Sequence, residues 1–263
     1  MNRAYWNAIA DTYEADIFSV LKHDRGGQIA GKIRQYGSRR QTAIDVGCGI
    51  GHFLPLLSGL FRKIHAVDLS AKCIAKARSS YTRLTNVTFQ IADLAARGIR
   101  LPRTDFALCV NSVITPSLAC RNRILDVTCK HLRPGGHLVL VVPSLESALL
   151  TDFRLIECNL RHGLRPESAV RSGFRTPRRA GRSRLHEGIL CIEQVETKHF
   201  LKEELLILLR NRGMHTLEIE KIEYPWNTEF THAPRWMQAP YPWDWLFVAR
   251  KTNGTARGFR PDP

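Results

Sequence analysis

The sequence predicts an α/β fold, a doubly wound and mostly parallel sheet with helices on its faces. Three observations carry this reading. Residues 43–55 run from a short apolar stretch ending in Asp, through three alternate glycines, into an apolar helical pattern. Residues 64–69 form a second short strand pattern closed by Asp68, about 20 residues past the glycine turn, the distance at which an acid reaches a ribose in doubly wound sheets. From there to residue 142, strand and helix patterns alternate, as expected for parallel strands joined by crossover helices.

Tyr5, Ile9, Tyr13 and Ile17 recur every four residues, which predicts one amphipathic helix ahead of the core. A second short helix is predicted over residues 28–36. Gly47, Gly49 and Gly51 follow the first strand and let backbone approach a ligand where a Cβ would collide. The helix start beyond them would offer free N–H groups to an acceptor. Their G-x-G-x-G spacing differs from the G-x-G-x-x-G of dinucleotide sites. Asp68 can accept bonds from both hydroxyls of a ribose. Ser70 is a suitable N-cap for the next helix, which would leave Asp68 free.

Residues 87–94 read as a third strand ending in Asp93, and 105–112 as a fourth. Leu118, Leu125 and Leu132 lie seven apart, which predicts the core face of a helix. Leu132-Arg133-Pro134-Gly135-Gly136 then reads as a helix end and turn before a fully apolar, buried parallel strand. Leu145, Leu149, Phe153, Ile156 and Leu160 predict another helix. The arginine-rich stretch 162–187 lacks an apolar period and reads as a flexible excursion. Residues 188–195 suggest a short strand of a lid, and 200–212 a helix stopped by Gly213. Residues 214–224 form a strand whose alternation slips between Ile219 and Ile222, suggesting a bulge. Residues 243–249 make the last strand.

The chain has 263 residues and a net charge of +15, which suits one domain with insertions or a lid. That charge is uneven. Residues 161–184 contribute +7 and 250–263 contribute +3, leaving +5 for the other 225 residues. The core is therefore only mildly basic, and the charge sits where it is usually solvated. The seven cysteines are odd in number and include no C-x-x-C pair, so neither a disulfide framework nor a zinc site is indicated, and no metal is expected. No run approaches a membrane span. The N-terminus lacks a signal-peptide layout, so a cytoplasmic protein is expected.

Asp45-Val46-Gly47-Cys48-Gly49-Ile50-Gly51 resembles the first motif of class I S-adenosylmethionine (SAM)-dependent methyltransferases. Asp68, the strand ending in Asp93, the segment through Asn111 and Ser112, and the Pro-Gly-Gly strand match the family's later motifs in order, and the resemblance covers about residues 27–251. It implies a seven-stranded, mostly parallel sheet with an antiparallel C-terminal strand, an N-terminal helical cover and SAM as cofactor. Asp45, Gly47, Cys48, Gly49 and Gly51 would then surround the methionine moiety, with Asp45 acting on its ammonium. Asp68 and Leu69 would meet the ribose, Asp93 and Leu94 the adenine, and Asn111 and Ser112 the sulfonium.

The expected organisation is a cover helix over 1–26 and a cofactor-binding core over 27–160. A basic flexible insertion or lid follows over 161–198, then a C-terminal helix and strands over 199–251 and a disordered tail over 252–263. Glu146, after the fifth strand, His52, after the glycines, and His199 are candidate bases or anchors. Trp6, Tyr13, Tyr224 and Trp226 are candidate substrate contacts, each with a packing role as its alternative. A small-molecule acceptor is favoured. RNA or protein is the alternative suggested by the basic stretch, against which no recognisable RNA-binding appendage is present. The N-P-P-Y type motif of exocyclic-amine and glutamine methyltransferases is also missing, since Ser112-Val113-Ile114 follows Asn111. The sequence is silent on oligomeric state.

Overall fold

The computed structural model describes residues 2–173, 184–192 and 195–253. Among these the strands are β1 (Thr42–Val46), β2 (Lys63–Asp68), β3 (Val87–Ile91), β4 (Thr104–Val110), β5 (Leu132–Pro143), β6 (Ile189–Ile192), β7 (Val195–Lys198), β8 (Met214–Glu223) and β9 (Trp243–Lys251). Seven form one sheet in the order β3-β2-β1-β4-β5-β9-β8, while β6 and β7 pair separately and antiparallel. The first five strands run parallel, and β9 lies antiparallel to both β5 and β8. This is the mostly parallel sheet with one reversed strand that the sequence predicts. Every residue of β1 is buried, as a central strand covered on both faces requires.

The helices are α1 (Arg3–Ala8), α2 (Tyr13–Asp16), α3 (Val20–His23), α4 (Gln28–Tyr36), α5 (Leu54–Leu60), α6 (Ala71–Ser80), α7 (Leu118–His131), α8 (Leu145–Arg161), α9 (Pro166–Gly173) and α10 (Lys202–Arg210). Ile29, Ile33, Leu57 and Ile74 bring α4, α5 and α6 into one core with Ile64, Phe106 and Val139. Leu125, Cys129, Leu205 and Leu209 bring α7 and α10 into the other, with Ile44, Leu140 and Phe247. Alternate side chains of one strand thus feed two cores, one on each face of the sheet.

The N-terminal cover departs from the single helix expected. α1 ends at Ala8 and α2 starts at Tyr13. A period of four drifts about 40° per step around a 3.6-residue helix, so Tyr5 and Ile17 could not share one stripe. The break brings Tyr5, Trp6, Tyr13 and Ile17 to one cavity instead. Asn7 Oδ1 accepts the Ser70 hydroxyl at 2.7 Å, which fastens α1 to the start of α6. Asp24 accepts the backbone N–H groups of Gln28 and Ile29 at 2.9 and 2.8 Å, capping α4.

Other expectations also change. α7 passes straight into β5, and Gly135, at φ +80°, lies within an irregular stretch of that strand rather than in a separate turn. Leu118 is exposed, so the α7 core face is Leu125 and Cys129. The β8 bulge lies between Thr216 and Glu218, not between Ile219 and Ile222. The basic stretch is not wholly irregular, since α9 occupies Pro166–Gly173. The arginines at 175, 178, 179 and 182 and the tail from residue 254 lie outside the described residues. No helix among the described residues is long and apolar enough to cross a membrane.

Candidate active site

A cavity of about 1640 Å³ opens over the C-terminal ends of the parallel strands, where β1 and β4 leave the sheet in opposite directions. This topological switch is where doubly wound sheets bind ligands. Gly47, Asp68, Leu69, Asp93, Leu94, Asn111 and Ser112 all line it. Trp6, Tyr13 and Tyr224 line it too. The structure therefore brings most of the sequence-predicted residues to one hollow.

The turn after β1 explains two of its glycines. Gly47 has φ +69°, and a Cβ there would lie 2.2 Å from Ser112 Oγ; Gly49 has φ +54°, and a Cβ would lie 2.5 Å from the Tyr13 hydroxyl. Any side chain would fill the floor or strain the backbone. The amides are less free than the sequence suggests. Gly47 and Cys48 donate to Val67 O, Gly49 donates to Asp68 Oδ2, and Gly51 donates to Cys48 O. The turn thus supplies a side-chain-free floor rather than a nest of open donors. Of the turn, Gly47 lines the cavity, while Cys48, Gly49 and Gly51 lie outside the lining. Burial pushes the Cys48 thiol well up, with the charge of Asp45 adding to it. Gly51 packs against Leu54 and Tyr81.

Three acids lie at or near the strand ends. Asp45, the penultimate residue of β1, is buried and is not among the residues that line the cavity, and its Oδ2 has no hydrogen-bond partner among the described residues. Burial raises its pKa from 3.8 to about 7, with the Asp68 charge adding to the rise. Such an orphaned carboxylate is costly unless a cation or donor meets it. Asp68 is not left free by Ser70, which does cap α6 through its side chain. The Asp68 carboxylate accepts the Gly49 and Ser70 N–H groups, each at 2.8 Å. Four acceptor lobes leave room for two further donors. Burial raises its pKa, and backbone N–H groups partly oppose the rise. Asp93 accepts the Ala95 N–H through Oδ1 at 2.8 Å.

At the end of β4, Asn111 takes φ +50°, a left-handed backbone rare outside glycine, and its buried Oδ1 has no partner among the described residues. Asn tolerates that conformation better than most residues. Strain beside an orphaned polar atom is typical of ligand sites. The Ser112 hydroxyl donates to Val46 O at 2.6 Å, tying the ends of β1 and β4 together.

Both leading candidate bases lie elsewhere. Glu146 accepts the Lys202 N–H at 2.9 Å through Oε1, and the Trp245 indole N–H at 3.1 Å through Oε2. It joins the starts of α8 and α10, so it is a structural clamp outside the cavity lining. His52 also lies outside the lining, with Nε2 3.7 Å from Glu14 and its ring edge-on to Tyr13. Trp226 is buried, donates to Gln238 O at 3.1 Å and stacks near Phe230, so its role is to pin the loop between β8 and β9. His199 does reach the cavity wall.

The sequence reading missed the far wall. Ser147 and Thr151 of α8, Ile192 and Val195 of the β6–β7 pair, and Glu229 and Asp244 line it. Asp244 accepts the Tyr224 hydroxyl at 2.9 Å. Burial lifts its pKa from 3.8 to about 7, the Tyr224 bond opposes this and Glu229 adds to it. The signal was present: an Asp inside an otherwise apolar strand, Trp243 to Ala249, is a residue out of place.

A family model described as a methyltransferase domain matches residues 43–136. A probable cobalt-precorrin-6B C(15)-methyltransferase (decarboxylating) of Methanothermobacter thermautotrophicus is 28% identical over 123 residues, 46% of this chain. The matched stretch spans 59% of that relative's length. A SAM-dependent methyltransferase structure from Methanosarcina mazei superposes with TM-score 0.60 at 17% identity, covering 84% of this chain and 97% of the other. The Burkholderia thailandensis 1,6-didemethyltoxoflavin-N1-methyltransferase, with 1,6-didemethyltoxoflavin and S-adenosylhomocysteine bound, gives 0.60 at 16%, covering 95% and 87%. The N-methyltransferase NodS of Bradyrhizobium japonicum WM9 with S-adenosylhomocysteine gives 0.58 at 12%, covering 95% and 97%. Likeness at this identity speaks to the fold.

Proposed function

We propose that this chain is a class I SAM-dependent methyltransferase, on the methyltransferase-domain match over residues 43–136 and the shared fold, and that it transfers the methyl group of SAM to a small-molecule acceptor. The observation that carries this reading is one continuous cavity. The same hollow is lined by Gly47 of the turn, by Asp68 and Asp93, by Asn111 and Ser112, and by the far wall of α8, β6–β7 and β9. Small-ligand pockets run to roughly 300–1,000 Å³. At about 1640 Å³ this one has room for a cofactor and a second molecule.

The residues fit the cofactor. Asp45, orphaned and buried, would meet the ammonium, and the bare floor at Gly47 would admit the methionine moiety. Asp68 would take the ribose hydroxyls on its remaining lobes, and Asp93 with Leu94 the adenine. Asn111 and Ser112 would flank the sulfonium. SAM supplies an activated methyl group when bound. The protein's own work is alignment and exclusion of water, for which α1 and α2 form a cover. Glu146 and His52, engaged elsewhere, have no part in this proposal.

A small acceptor is favoured over RNA by the sign of the wall. The lining carries Asp68, Asp93, Glu229 and Asp244, with Arg3 as its one permanent cation among the described residues. Phosphates would be repelled there. A neighbour of this fold holds 1,6-didemethyltoxoflavin, a small molecule. Incubation with methyl-labelled SAM and a cell extract split into metabolite, RNA and protein fractions tests the proposal. Label should enter the metabolite fraction. Label confined to RNA or protein overturns the small-molecule reading.

A further inference from the structure

The far wall of the cavity holds a feature that the cofactor does not use. Asp244 lies in β9 opposite Pro143 of β5, which places it beyond the ends of the parallel strands. It is 8% exposed and lines the cavity. The Tyr224 hydroxyl occupies Oδ2. No cation pairs with Asp244 among the described residues. Glu229, on the same wall, is close enough to act on it with like charge.

Among the described residues, no salt bridge joins a cation to Asp244. Asp24 also acts on Tyr224 with negative charge, and its carboxylate is committed to the α4 N-terminus. The His23 ring stands edge-on to Tyr224, with its Nδ1 bonded to Ser19 O. Lys221 sits 3.7 Å from the Trp243 ring centroid. Strand alternation puts Trp243 and Lys221 on the opposite face of the sheet from Asp244, and the two faces feed different cores.

A second, independent observation marks the same end of the cavity. Trp243, on the other face of β9, also lines it and is 8% exposed, and its buried indole N–H, a donor for an acceptor on the ligand's body, has no hydrogen-bond partner among the described residues. Phe18 and Tyr224 stand edge-to-face at 5.0 Å between ring centroids, and both line the cavity. Ile192 and Val195 face it from the β6–β7 pair. A desolvated carboxylate without a cation is expensive, and a ligand cation would offset that cost. Aromatic faces attract the same cation.

We infer that Asp244, held by Tyr224 and reinforced by Glu229, anchors a basic nitrogen of the methyl acceptor, so that the acceptor is an amine with an apolar or aromatic body. This deepens the proposed function and rests on its reading of the cavity as the site of methyl transfer. Acidic acceptors such as aryl carboxylates are disfavoured by the same charges, and so are phosphate esters.

The test uses the full chain saturated with S-adenosylhomocysteine. Calorimetric titration compares 2-phenylethylamine and tryptamine with 3-phenylpropionate and 3-ethylindole. Both amines should bind more than about tenfold tighter than the acid and the neutral compound, the size of one charge-assisted hydrogen bond. Asp244→Asn should reduce that preference to within about threefold, and Glu229→Gln should lower it in part. The wild-type comparison stands even if Asp244→Asn fails to fold. Equal or tighter binding of the carboxylate overturns the inference, as does an amine preference that survives in both variants. Absence of amine binding up to about 10 mM overturns it too. Calorimetry with SAM alone separates the two proposals. No SAM binding defeats the methyl-transfer reading, whereas SAM binding without amine preference defeats only this one.

Discussion

If Asp45 meets the cofactor's ammonium, cofactor affinity must follow the ionisation of Asp45. Asp45 has a pKa of about 7, raised by burial first and by the Asp68 charge second. Only its ionised form attracts an ammonium. The ligand's α-ammonium stands beside a free carboxylate rather than an amide, so it keeps its proton above the range of a peptide α-amino group, about 7.7–8.0. From pH 6 to 7.5 the ionised fraction of Asp45 therefore sets the affinity. With a pKa of about 7, that fraction is about one tenth at pH 6 and about seven tenths at pH 7.4, so affinity should rise roughly eightfold between them.

The assay is calorimetric titration with S-adenosylhomocysteine, which carries the same amino group, across pH 6 to 9. Asp68 is also raised by burial, so the acid limb is assigned with a variant. Asp45→Asn cannot ionise and should lose most of the fall below pH 7. Its affinity at pH 7.4 should drop by about 1.5–3 kcal/mol, the worth of a hydrogen bond to a charged group. A flat profile from pH 6 to 7.5, or an acid limb that persists unchanged in Asp45→Asn, refutes the assignment of Asp45 to the ammonium.

Other substitutions separate structural from functional roles. Asp68→Ala should cost about 3 kcal/mol of SAM affinity, roughly a hundredfold by calorimetry, because the ribose acceptors go. It should also lower the melting temperature, since the Gly49 and Ser70 N–H groups lose their partner. Asp244→Asn should stabilise the protein at pH 8. The folded pKa of about 7 exceeds the ordinary 3.8, so the native state binds more protons between those values and stability falls as pH rises through them. The variant lacks that loss and should gain about 2–4 kcal/mol at pH 8 in urea unfolding, shrinking by more than half near pH 5. An equal gain at both pH values would contradict a raised native pKa. Glu146→Gln should lower stability by about 1–3 kcal/mol, because the Lys202 N–H and Trp245 indole N–H share its carboxylate. Its SAM affinity should stay within about twofold of wild type, and a larger loss would return Glu146 to the site.

What could be read in advance was what short-range backbone geometry dictates. Gly47 and Gly49 betray the turn because no side chain fits there. Asp68 and Asp93 betray the site because they close apolar strands. Asp244 escaped because its position depends on β9 lying antiparallel to β5, a pairing between residues a hundred apart. Glu146 was misassigned for the same reason. Its partner Lys202 lies 56 residues on, and nothing near Glu146 reveals that α10 begins beside it. The N-terminal pattern was read with the right residues but the wrong connection. Tyr5, Trp6 and Tyr13 do reach the cavity, through a break that a four-residue period conceals. The freedom of the turn amides was overestimated because their acceptors, Val67 O and Asp68, come from the neighbouring strand.

In the proposed function, the glycine turn and the acids of β1, β2 and β3 form one binding site for SAM. Calorimetric titration of the full chain with SAM at pH 7.4 tests it most directly. One SAM should bind per chain in the micromolar range, about −8 kcal/mol, displaced by S-adenosylhomocysteine and weakened by Asp68→Ala. No heat of binding up to about 1 mM, or binding indifferent to Asp68→Ala, would contradict the account.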